Sequence, residues 1–147
     1  MKKITLLGLL TAFSGLALAQ MTPLGLWHTI DDATGKPKGE VRIIAGAGGE
    51  LSGTVVRGLE AVPDPEPNCT KCSDDRKGKP KIGLEIIRGG KKVDGKDVWE
   101  GGKILDPNNG TDYRLKLTPI EGGKKLEVRG YIGTPMLGRT QTWVRVE

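Results

Sequence analysis

From residue 24 onward the chain is a series of short runs in which apolar and polar positions alternate, separated by glycine-bearing turns. The first run covers residues 24–30 and stops at Asp31-Asp32 and Thr34-Gly35-Lys36-Pro37. In residues 40–44, Val41 and Ile43 share one face of a strand. After a turn at 46–50, Leu51, Gly53 and Val55 alternate with Ser52, Thr54 and Val56, which predicts a hairpin. Residues 61–81 break the rhythm with Pro63, Pro65, Pro67 and Pro80, two cysteines and many charges. Proline at that density forbids a central strand, so a long surface loop is expected there. Strand character resumes at 82–88, and a turn is expected from Gly89-Gly90 to Gly95. An irregular strand at 97–105 is interrupted at Gly101-Gly102, and Asp106-Pro107-Asn108-Asn109-Gly110 is a strong turn. Tyr113, Leu115 and Leu117 then alternate with Arg114, Lys116 and Thr118. Beyond Glu121-Gly122-Gly123, Leu126, Val128 and Gly130 alternate with Glu127, Arg129 and Tyr131. The last run is 137–146.

This amounts to about eight strands at intervals of roughly 10–15 residues, with no apolar period of 3.6 past residue 19. Each end carries a tryptophan in a strand-like run: Gly25-Leu26-Trp27 at one, Gln141-Thr142-Trp143-Val144-Arg145 at the other. Pairing these ends would leave the sheet without edges. The predicted fold is all-β, an eight-stranded antiparallel up-and-down barrel. At that strand number the interior either holds one small ligand or is filled by side chains.

Composition changes the picture mainly at the N-terminus. Met1-Lys2-Lys3, an apolar stretch over 4–18 and Ala17-Leu18-Ala19 form a secretory signal peptide, residues 1–19, expected to be cleaved. The remainder, residues 20–147, is then a single barrel domain, exported to the periplasm or secreted, with no membrane span expected. The full chain has 23 basic and 18 acidic residues. Two of the lysines lie in the leader, so the mature excess is mild. The lysines sit mainly in glycine-rich turns rather than in a basic stripe with aromatics, which argues against a nucleic-acid partner.

Gly25-Leu26-Trp27 resembles the Gly-x-Trp signature of the lipocalins and wider calycins. That resemblance implies a tryptophan across the closed end of the barrel under a basic residue of the last strand, either Arg145 or Arg139. A broader set of pieces resembles the bacterial exported family known as domain of unknown function 2147. These are Gly35-Lys36-Pro37, Lys79-Pro80-Lys81-Ile82-Gly83-Leu84, the run from Trp99 to Pro107, Asn109-Gly110, Arg129-Gly130-Tyr131-Ile132-Gly133 and the run from Leu137 to Trp143. The resemblance implies a lipocalin-like barrel and no established activity. Gly25, Trp27, Trp143 and Arg145 are expected to close it.

Candidate chemistry is sparse. Cys69-Thr70-Lys71-Cys72 fits a disulfide in an exported protein, with a redox pair, two metal ligands or free thiols as alternatives. His28 is the sole histidine and lies on the opposite strand face from Trp27. Ser52 and Ser73 lie in no nucleophile-elbow pattern. The carboxylate pairs Asp31-Asp32 and Asp74-Asp75 occupy turn sequences. No catalytic residue, metal or cofactor is therefore expected.

The last strand is more informative, because Arg139, Gln141, Trp143 and Arg145 share a face. An inward Arg139 needs a carboxylate, a π-face or a ligand anion. With walls from Tyr113, Leu115, Leu126 and Val128, Arg139 and Gln141 form the expected site for a small hydrophobic or amphiphilic ligand, with an anionic head group one form of it. The alternative is a filled barrel that acts as an envelope interaction protein through loop 61–81.

Overall fold

The structure is a computed structural model describing residues 21–147. The predicted signal peptide lies outside the described residues. Nine strands follow one another: β1 (Gly25–Ile30), β2 (Pro37–Ala45), β3 (Leu51–Gly58), β4 (Glu85–Arg88), β5 (Lys91–Lys92), β6 (Trp99–Asp106), β7 (Thr111–Ile120), β8 (Lys125–Tyr131) and β9 (Gly138–Arg145). One 3₁₀ turn, Glu121–Gly123, joins β7 to β8. No helix among the described residues is long and apolar enough to cross a membrane.

Each strand pairs antiparallel with its sequence neighbour, apart from the crossing between β4 and β6. The sheet closes where Trp27 lies opposite Arg145 and His28 opposite Val144. Strands β4 and β5 are two pieces of one barrel stave. Ile87 pairs with Ile104 and Lys91 with Glu100, so the register runs through Gly89-Gly90 unbroken. The expected turn from Gly89 therefore starts later. Gly89 sits against Gly102, where a side chain would strike the Gly89 backbone. The result is the expected eight-stave, all-β antiparallel barrel.

Period-two alternation sets which residues face in. At one end of the barrel the inward positions are large and full. Trp27, Ile43, Ile87, Leu117 and Leu126 are each at most 1 % exposed. Burial of each such side chain contributes about 1.5–3 kcal/mol. Gly53 leaves the room that Ile87 fills.

The same end is locked by Arg145, whose guanidinium lies 4.1 Å from the Trp27 ring centroid. It donates to the carbonyls of Gly123, Leu24 and Thr22, each at 2.6 Å. The Trp27 indole donates to the Pro23 carbonyl at 2.8 Å. Gly25 has φ of 126°, and a Cβ there would run into Arg145 and the Glu147 carbonyl. The glycine of Gly-x-Trp is thus required by the lock itself.

The 61–81 segment is more than a surface loop. Cys69 and Cys72 form a disulfide and are almost wholly buried, as is Arg76. A short ladder holds the segment together: the Cys69 amide donates to the Lys79 carbonyl and the Lys81 amide to the Pro67 carbonyl. Arg76 donates to Asp74, to Asp112 of β7 and to the Glu85 carbonyl of β4. This charge-assisted hub anchors the lobe on the outer wall. The lobe also presses on the β6–β7 turn. Gly110 has φ of 73°, and a Cβ there would overlap the Lys71 carbonyl. A stretch this long meets its buried backbone requirements only by building such local structure.

Candidate functional site: the open half of the barrel

At the other end the same inward rows do not fill the interior. The cavity there measures about 930 Å³. It opens between the β1–β2, β6–β7 and β8–β9 turns, with Pro107 and Asn109 from one of them on its rim. The change is one of residue size. Going up β1 and β8, the large residues of the packed end give way to Thr29 and Gly130. Gly39 does the same on β2.

Val41, Val55, Ile86, Ile104 and Val128 make the wall apolar, and Trp143, only 2 % exposed, forms part of the floor. The Trp143 indole donates to Gln141 Oε1 at 3.3 Å, so the floor's polar atom has a partner. Polar groups gather near the mouth: Arg139, Gln141, Tyr113, Asn109 and Asp106. Arg139 pairs with Asp32, which also accepts from Gln141 Nε2 at 3.2 Å. Asn109 donates to the Tyr113 hydroxyl at 3.0 Å.

Of the six residues read as a ligand site, Arg139, Gln141, Tyr113 and Val128 stand on the cavity wall. Leu115 and Leu126 face inward as well, but they are buried in the packed layer, at 1 % and 0 % exposed. Arg145, and not Arg139, is the cation over Trp27.

Sequence reading missed Val41 and Val55 as wall residues although it placed both on strand faces, because nothing local says at what height a position lies. It missed Asp32 because a turn carboxylate 107 positions from Arg139 carries no local sign of its partner. The exposed residues Ile132, Met136 and Leu137 also border the cavity, and no alternation across the β8–β9 turn marks them as rim residues.

Two further polar clusters are built on carboxylates, and Glu40 of the first also borders the cavity. The Glu40 carboxylate accepts two bonds from Arg57, at 2.8 and 2.9 Å, and lies 3.1 Å from His28 Nε2. The Arg57 hydrogen bonds hold Glu40 at about 2, below its ordinary 4.5, and His28 adds to this against the opposing effect of burial. Asp74 is likewise held at about 2 by its bonds from Arg76. Glu40 thus forms an ion pair with Arg57, with the imidazole of His28 beside it. Among the described residues no group of three or more His, Cys, Asp or Glu side chains converges as a metal site.

A closed eight-stranded antiparallel barrel with one packed end, a Gly-x-Trp/Arg lock and one open, apolar-walled end defines a lipocalin-like architecture. The chain belongs to the family described as an uncharacterized protein conserved in bacteria, DUF2147, whose model matches residues 25–145. Its fold is similar to that of protein HP1028 from Helicobacter pylori, whose structure is described as belonging to the lipocalin family. The TM-score is 0.70 at 17 % identity, covering 84 % of this chain and 82 % of that one. At that identity the likeness shows the fold alone. No curated protein matches by sequence.

Proposed function

We propose that the protein is an exported binding protein that holds a small hydrophobic or amphiphilic molecule in the open half of its barrel. The observation that carries this reading is the cavity of about 930 Å³, apolar in its depth and polar at its mouth. Preformed sites for small molecules have that character. A barrel filled by its own side chains would serve only as a scaffold, and here filling stops partway up the strands. Export is supported by the Ala17-Leu18-Ala19 pattern and by a disulfide, which persists in oxidising compartments.

Native mass spectrometry of protein purified from the exported fraction should show bound mass that is lost on denaturation. The neutral fluorophore N-phenyl-1-naphthylamine should bind and quench Trp143 by energy transfer, a response weakened in Trp143→Phe. Absence of bound mass together with absence of probe binding rules the reading out. N-terminal sequencing of the exported material should begin at Gln20.

A further inference from the structure

Resting on the lumen as a ligand site, we infer that the ligand's head group is an anionic carboxylate that takes Arg139 over from Asp32. Arg139 is the one cationic side chain among the described residues that line the cavity. Its side chain is 68 % exposed and Asp32's 49 %, and ion pairs so exposed hold weakly. The two neighbouring aspartates differ in their duties. Asp31 accepts from the amides of Ala33 and Thr34, at 3.0 and 2.8 Å, and so builds the β1–β2 turn. Asp32 has only Arg139 and Gln141 as side-chain partners among the described residues. Its carboxylate therefore occupies the mouth without serving the turn.

The groups around it are donors. Arg139 has guanidinium N–H groups to spare beyond its contact with Asp32, and Gln141 Nε2 has a second N–H. The Tyr113 hydroxyl accepts from Asn109 and keeps its own proton to donate. Gly130 lies opposite Arg139 on β8 and Tyr113 packs against it, so Arg139 and Tyr113 border the same stretch of the cavity. A carboxylate placed there meets both and replaces what Asp32 supplies.

The other carboxylates do not cancel this. Glu40 is engaged with Arg57 and His28, and Asp106 accepts from the Asn108 amide at 2.9 Å on β6, across the barrel from β9. From Arg139 to Trp143 the strand advances about 13 Å at ~3.3 Å per residue, room for an extended chain of roughly ten carbons.

The test uses decanoate, decan-1-ol and decylammonium, each displacing N-phenyl-1-naphthylamine from the purified protein near neutral pH. Decanoate is expected to bind about tenfold tighter than decan-1-ol, the worth of one charge-assisted contact, and decylammonium weaker than both. Asp32→Asn should tighten decanoate several-fold and leave decan-1-ol unchanged. Arg139→Gln should bring decanoate down to the level of decan-1-ol. Both variants should keep the wild-type circular dichroism spectrum. Binding of decan-1-ol with no preference for decanoate, a preference for decylammonium, or indifference of decanoate to Arg139→Gln overturns the inference while the lumen reading stands. Failure of all three compounds to displace the bound probe overturns the inference alone, and failure of the probe itself to bind, with no bound mass, overturns both.

Discussion

Arg139 and Arg145 stand on the same face of β9, six residues apart, and do different work. Arg145 lies where the barrel is packed. It donates to three backbone carbonyls and covers Trp27, and burial alone pushes its guanidinium below the ordinary value. It remains a cation, as arginine does in proteins. Arg139 lies where the barrel is open, largely exposed, paired with the half-exposed carboxylate of Asp32. The surroundings of the residue decide whether an arginine is a bolt or a contact point. The same contrast divides the two halves of the barrel, since alternation continues along β1, β2 and β8 while their inward side chains shrink.

The largest expected effect tests the packed half. Trp27→Ala should destabilise by about 3–5 kcal/mol in urea unfolding, whereas Tyr113→Ala at the mouth should cost under about 1 kcal/mol. Equal losses would mean that the open half is packed as tightly as the closed one.

Next comes the arginine pair itself. Arg145→Ala strands three carbonyls and uncovers an indole, so a loss of roughly 2–4 kcal/mol is expected. Arg139→Ala should change stability by no more than about 1 kcal/mol. Should the two costs coincide, the distinction between lock and contact point fails.

Removing the disulfide by the double change Cys69→Ser and Cys72→Ser should cost about 2 kcal/mol, the value expected for so short a closed loop. Hydrogen exchange should rise in residues 68–81 and in the β6–β7 turn while β1 and β9 stay protected near Trp27. Uniform loss of protection would show that the lobe is not separable from the lock.

Acid should produce the smallest effect and again divide the molecule. Glu40 and Asp74 both have folded-state values of about 2, against ordinary values of 4.5 and 3.8. Their contribution to stability is present above the ordinary values and is lost as pH falls through that range toward 2. The thermal midpoint should decline over this window. The Trp27–Arg145 lock contains no carboxylate, so exchange near Trp27 should respond only to the global loss, while the Asp74–Arg76 anchor loosens locally.

Much of the fold was legible in the sequence. Alternation such as Leu126, Val128 and Gly130 against Glu127, Arg129 and Tyr131 is a local property, because successive strand residues point to opposite faces. Gly25-Leu26-Trp27 and Trp143-Val144-Arg145 marked the two ends that meet. The 61–81 lobe was legible only as an absence of strand. Its buried Arg76 is held by Asp112 and the Glu85 carbonyl, which the chain brings near only after folding.

By itself, the sequence determined the strands, their inward faces and the placing of Arg139, Gln141, Trp143 and Arg145 on one row. The tertiary structure alone decided the heights of those residues in the barrel. Height depends on strand stagger and on what every other stave contributes at that level. It therefore decided that Leu115 and Leu126 are core, that Tyr113 and Val128 face a cavity, that Arg145 rather than Arg139 covers Trp27, and that Asp32 pairs with Arg139.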